Sequence, residues 1–136
     1  MNEHPPIFIY GTLRPGQKNY GRFLAGRTSE EIPATTSGEL YLFLDPGGAR
    51  YPFLIPGNET VHGDLVYLKN RFHAETLEDL DHLEGYDPRT DKGLYLRRLR
   101  QVVTESGEHV SAWTYLWNGP WTEVVKIRDG DFAKTC

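Results

Sequence analysis

The stretch LYLRRLRQVVTESGEHVSAWTYLW, residues 94–117, decides how this chain is read. Leu94–Thr104 and His109–Trp117 are rich in β-branched and aromatic residues, which suit a pleated, half-buried surface. Between them, Glu105-Ser106-Gly107-Glu108 has the polar, glycine-containing character of a hairpin loop. Two longer antiparallel strands are therefore expected. Downstream, Asn118-Gly119-Pro120 stops the second strand, and Thr122–Ile127 reads as a last edge strand.

Upstream lies the one segment with a clear helical character, Arg71–Glu84, RFHAETLEDLDHLE. It combines strong helix formers with acids at Glu75, Glu78 and Asp79 near its start, and Gly85 and Pro88 follow its end. Farther upstream the runs are short. Ile7–Tyr10 is strand-like, and Asn19–Leu24 places Tyr20, Phe23 and Leu24 at helical spacing before Gly26. Gly38–Leu44, Tyr51–Ile55 and Gly63–Leu68 read as strands separated by the turn signals Pro46-Gly47-Gly48 and Pro56-Gly57-Asn58. Six or seven short strands with one or two helices define an α+β class: a small mixed β-barrel-like sheet with one or two flanking helices. Without repeats or low-complexity segments, residues 1–136 read as a single domain.

Composition narrows the function classes. A net charge of −4 argues against a general nucleic-acid binder, and the one basic run, Arg97-Arg98-Leu99-Arg100, reads as a solvated strand face. No apolar stretch is long enough to span a membrane, and the start of the chain lacks the pattern of a signal peptide, so a cytoplasmic protein is expected. The single cysteine, Cys136, cannot form an internal disulfide and sits where chains fray.

The helix carries an acid where an acid is unfavourable. On a wheel of about 100° per residue, Leu77, Leu80 and Leu83 span an apolar arc of roughly 120°. Glu75, Glu78, Asp79 and His82 fall outside it, Asp81 lies at its edge, and Glu84 falls within it. A carboxylate in the last turn also faces the negative end of the helix dipole. Burial would raise its pKa further. Glu84 is thus misplaced on two counts, which marks a candidate proton-transfer group. Other chemistry is thin. The five histidines show no metal spacing, and no serine stands in a nucleophile elbow. Gly11-Thr12-Leu13-Arg14-Pro15-Gly16 lacks the Lys-Ser/Thr ending of a phosphate loop. Its glycines would instead let backbone N–H groups approach a ligand. Arg14 in that loop is a candidate to pair with a substrate carboxylate, against the ordinary reading of a loop arginine as solvated surface.

The motifs YGTLRPGQ, YPFLIPG, VHGDLVY, LDHLEGYDP, LYLRRLRQV, AWTYLW and IRDGDF occur in this order along the chain. Together they resemble the γ-glutamyl cyclotransferase-like family, in its γ-glutamylamine cyclotransferase and AIG2-like branch. The resemblance implies a loop at Tyr10, Gly11, Thr12 and Leu13 that cradles substrate with backbone amides. It implies Glu84 as catalytic acid/base and Tyr115 as a pocket-lining residue. It also implies release of 5-oxoproline and a free amine from a small γ-glutamyl amine or amide, with no metal or organic cofactor. The alternative is a non-catalytic small-ligand-binding or interaction module on the same fold.

Overall fold

The computed structural model describes residues 4–17, 19–48 and 50–131, so Cys136 lies outside the described residues. In chain order, β1 (Ile7–Ile9) is followed by α1 (Tyr20–Phe23), β2 (Thr28–Leu44) and β3 (Arg50–Leu68). A 3₁₀ turn (Asn70–Phe72) then leads into α2 (His73–Leu83), β4 (Tyr86–Asp87), β5 (Lys92–Gly93), β6 (Tyr95–Thr104), β7 (His109–Trp117) and β8 (Val124–Lys126). The sheet runs β1-β3-β7-β6-β2-β8, and added pairings of β1 with β7 and β3 with β2 close it into a barrel of five strands. It is mixed because β1 runs antiparallel to β3 but parallel to β7. β8 lies outside the ring, paired with Tyr41–Phe43 of β2. No described helix is long and apolar enough to cross a membrane.

The two-residue period of a strand explains the core. Phe8 and Tyr10 point into the barrel with Val61, Leu65, Val102 and Ala112. Ile7 and Ile9 point the other way, toward Leu24 beyond α1 and Leu80 on α2. The same alternation along β7 sends Tyr115 and Trp117 to the helix side and Ala112 and Leu116 inward. β1 is short, yet all three of its residues are buried, because it is covered on both faces.

Three expectations change. Pro56-Gly57-Asn58 does not end a strand. β3 continues through it, with Gly38 opposite Glu59 and Glu39 opposite Ile55, so the three residues form a bulge in a long ribbon. Thr28–Ser37, not expected as a strand, forms the first half of β2. Its pairing with β3 and β6 supplies what its polar composition does not. The basic run is not uniformly solvated. Arg98 bonds the exposed Asp91 and Arg100 bonds the Ser37 carbonyl, but Arg97 turns under α2, where its side chain is 12% exposed.

Gly63 sets how closely β1 and β3 approach. A Cβ there would stand 2.3 Å from the Ile9 carbonyl oxygen and 2.7 Å from the Phe8 ring. Backbone cannot yield as a side-chain tip would. Gly63→Ala is expected to lower stability by about 1–3 kcal/mol, as overpacking of a tight core does. Urea denaturation of both proteins would read this directly.

Candidate active site

β1 delivers Tyr10 to the barrel rim and then turns at Gly11. The loop is closed by Arg14 N–H donating to the Gly11 carbonyl (3.1 Å) and Asn19 N–H donating to the Thr12 carbonyl (2.9 Å). Asn19 also donates through Nδ2 to the Thr12 hydroxyl at 2.7 Å. Among the described residues, the N–H groups of Gly11, Thr12 and Leu13 donate no hydrogen bond. Unpaired backbone amides in a row are the kind of donors from which anion-binding concavities are built. Gly11 has a second reason to be glycine. A Cβ would meet Pro52 Cγ at 2.8 Å, so the loop packs directly on β3.

These residues line one side of a cavity of about 200 Å³ between the rim, the end of α2 and the start of β6. Glu84 lines the other side. It caps α2, its N–H bonded to the Leu80 carbonyl at 2.9 Å, and Gly85 at φ +69° turns the chain away from the helix. The buried face of α2 is His73, Thr76, Leu80 and Asp81, and Glu84 continues it one turn beyond Leu80. Leu83, expected in the core, is instead 39% exposed at the cavity rim.

By area Glu84 is half-buried, because it faces an open cavity, yet surrounding protein displaces most of the water that would solvate its charge. This desolvation pushes its pKa up to about 7. Among the described residues its carboxyl has no hydrogen-bond or ion-pair partner. Burial raises the Tyr10 and Tyr95 hydroxyls well above their ordinary value, and the nearby Glu84 charge adds to both. These phenols are neutral donors already committed to the protein. Tyr10 bonds the Tyr115 carbonyl at 2.6 Å and Tyr95 the Pro52 carbonyl at 2.7 Å.

Tyr115 also lines the cavity, but its hydroxyl is turned away and donates to Asp81 at 2.6 Å. Arg97 holds the same carboxylate through Nε at 2.8 Å and Nη2 at 3.1 Å. Its guanidinium also lies 4.5 Å from the Trp113 ring centroid. Burial, then Asp81, drives the Tyr115 pKa far above its ordinary value. Arg27 adds a second clamp on α2, reaching Asp79 at 3.0 Å and Thr76 at 3.2 Å.

Tyr10, Gly11, Thr12, Leu13, Glu84 and Tyr115 therefore meet around one cavity, and Arg14 does not. Arg14 points to the opposite side of the loop, where Asp64 at 2.8 Å and Asp131 at 2.7 Å absorb its charge. Its charge is already paired with two internal carboxylates and it lies outside the cavity lining, a placement that differs from the expectation that it meets substrate there. Residues that sequence reasoning left out also line the cavity: Asn19, Arg50, Tyr51, Pro52, Leu94 and Tyr95. The YPFLIPG motif was the only sign of Tyr51 and Pro52, and nothing local marked Arg50. No group of three or more His, Cys, Asp or Glu among the described residues could hold a metal ion.

Residues 7–134 match the family described as gamma-glutamyl cyclotransferase, AIG2-like, and the chain belongs to that family. It is 33% identical over 114 residues to the gamma-L-glutamyl-butirosin B gamma-glutamyl cyclotransferase of Niallia circulans, covering 84% of this chain and 67% of the relative. It is also 33% identical over 126 residues to the gamma-glutamylcyclotransferase family protein YtfP of Escherichia coli, covering 93% of this chain and 94% of YtfP. The solution structure of Escherichia coli YtfP superposes with a TM-score of 0.64 at 29% identity, covering 96% of this chain and 97% of that one.

Proposed function

We propose that this chain releases 5-oxoproline and a free amine from a γ-glutamyl amine or amide, with Glu84 as general acid/base. The observation that carries the reading is a desolvated, unpartnered carboxyl sharing a cavity with three free main-chain donors.

The substrate brings its own nucleophile. Its α-amine attacks its γ-carbonyl carbon, closing a five-membered ring while the carbonyl π electrons move onto oxygen. The cavity's first task is to hold the folded conformer, an orientation effect that can be worth about 7–11 kcal/mol in well-aligned intramolecular reactions. The Glu84 carboxylate takes the proton from the α-amine. The attacking form is the neutral amine, and the proton taken is the one its nitrogen sheds as the ring bond forms; a carboxyl at about 7 can both accept and return a proton near neutral pH. The amides of Gly11, Thr12 and Leu13 are suited to the substrate carboxylate or to the oxyanion of the tetrahedral intermediate. That intermediate collapses as the carbon–nitrogen bond to the leaving group breaks and Glu84 returns the proton to the departing nitrogen. No water is consumed and the proton count closes on one carboxyl. Tyr115, with its hydroxyl held by Asp81, contributes a rigid wall.

The test is direct. The protein is incubated with γ-glutamyl-ε-lysine, γ-glutamyl amino acids and glutathione, and 5-oxoproline is measured by mass spectrometry. Release from at least one substrate is the expected result. Silence across the panel would favour a ligand-binding module on this fold instead.

A further inference from the structure

Apart from the tyrosines, two ionisable side chains line the cavity, Glu84 and one of opposite sign, and only Glu84 has a place in the chemistry above. The other is Arg50, at the start of β3. It is exposed at the mouth, and among the described residues its guanidinium makes no hydrogen bond or ion pair. The contrast with the other arginines near the cavity is clear. Arg14 and Arg97 are both neutralised by carboxylates within 2.8 Å.

Around Arg50 the mouth is apolar. Tyr51 at 38%, Leu83 at 39% and Leu94 at 39% exposure are three of the six large hydrophobic side chains left open on the described surface. All three line this one cavity, so the exposure is concentrated, as at a ligand-contact surface. The rim is also held in place. Tyr51 stacks on Phe43 with centroids 6.1 Å apart, and Leu94 lies over Gly119, where even a methyl group would stand 2.7 Å from Leu94 Cδ1.

The glutamyl end of a substrate must lie inward, at the loop amides and Glu84, so the leaving group projects toward this rim. We infer that Arg50, Tyr51, Leu83 and Leu94 select a leaving amine that has an apolar body and a free carboxylate, that is, an amino acid or short peptide with an apolar side chain. The inference rests on the reaction proposed above and names its substrate class. A carboxylate can take two hydrogen bonds from the guanidinium fork. A leaving amine bearing a further ammonium meets like-charge repulsion there. A neutral amine keeps the apolar contact but leaves Arg50 unpaired.

Three matched substrates test this: γ-glutamyl-leucine, γ-glutamyl-isopentylamide, which has the same apolar body without the carboxylate, and γ-glutamyl-putrescine. The expected order of kcat/KM is leucine, then isopentylamide, then putrescine. In Arg50→Ala the preference for leucine over isopentylamide should shrink by about two- to fivefold, the worth of one exposed charged pair. The loss should sit in KM. Arg50→Lys should recover part of it, and Arg50→Glu should move putrescine ahead of leucine. Equal losses on all three substrates in Arg50→Ala would place the guanidinium on the glutamyl end and overturn the inference, as would no change in the ratio. Calorimetric binding of leucine and isopentylamide substrates to Glu84→Gln separates the two readings. Turnover in the wrong order sinks only the leaving-group assignment. A leucine preference in binding without turnover by the wild type upholds it and sinks the reaction.

Discussion

Glu84→Gln is expected to lower kcat by about 10²–10⁴-fold, the usual worth of general acid–base catalysis, with KM little changed. Glutamine keeps the size and the cavity contacts but can neither accept nor return the proton. The pH profile supplies an independent check. Attack needs the carboxylate, so kcat/KM of the wild type should fall as pH drops through about 7, where Glu84 protonates. Stability should move the opposite way. A carboxyl whose folded pKa is raised binds its proton more tightly in the folded protein than in the unfolded chain. That stabilisation is fully present below the unfolded value of about 4.3 and is lost as pH rises through the folded value. Wild type and Glu84→Gln should therefore differ least in thermal stability at pH 4. At pH 8 the glutamine variant should be the more stable, by an amount that solvent at the open cavity holds to about 1–3 kcal/mol. Equal turnover by the variant would reject the role given to Glu84. A variant that is less stable at pH 8 would reject the desolvation argument.

Arg97→Ala should be the most damaging substitution to stability. It would leave Asp81, only 5% exposed, without its positive partner and with Tyr115 as its remaining side-chain donor. Breaking a buried pair from one side costs about 3–5 kcal/mol, because the charge that remains has no compensation. Removing both charges is a different matter. Asp81→Leu combined with Arg97→Met should recover most of that loss, since well-packed apolar residues often replace a buried pair without penalty. Chemical denaturation of the single and double variants gives the coupling directly. Asp81 lies one turn before Glu84 and holds the hydroxyl of a cavity-lining tyrosine. A double variant that regains stability should still show a reduced kcat, because the last turn of α2 and the Tyr115 ring would no longer be fixed relative to each other.

Much of the architecture was legible because β6, β7 and α2 carry their own local signals. Strand alternation in 94–117 and helix formers in 71–84 gave elements that the folded chain keeps, with a 3₁₀ turn taking the first residues of the expected helix. The long β2–β3 ribbon was not legible. Pro33, Pro52 and Pro56 all lie within its strands, and Thr28–Ile32 has no apolar alternation. Partners across the ladder, not intrinsic preference, hold that segment extended. Within the site, Glu84 stood out by its angle on the helix wheel even though the wheel misjudged Leu83. Arg50 and the Asp81–Arg97 pair did not stand out, because only the closed fold brings Arg50 to the cavity and Asp81 to Arg97. Arg14 misled for the same reason in reverse. Its loop was read correctly, but Asp64 is fifty residues away in sequence and arrives only through β3.

The β2–β3 ribbon divides labour along its length. Its basal part, up to the bulge at residues 56–58, is paired to β1 and β6 and belongs to the ring that fixes the reacting groups. Its distal part carries Arg50 and Tyr51 next to the turn that joins the two strands. Unlike the buried Phe53 and Leu54 that follow them, Arg50 and Tyr51 are exposed and can change without disturbing the hoop behind them. On the reaction proposed above, substrate range could be altered at a few positions on one fingertip while the proton-handling apparatus stays intact.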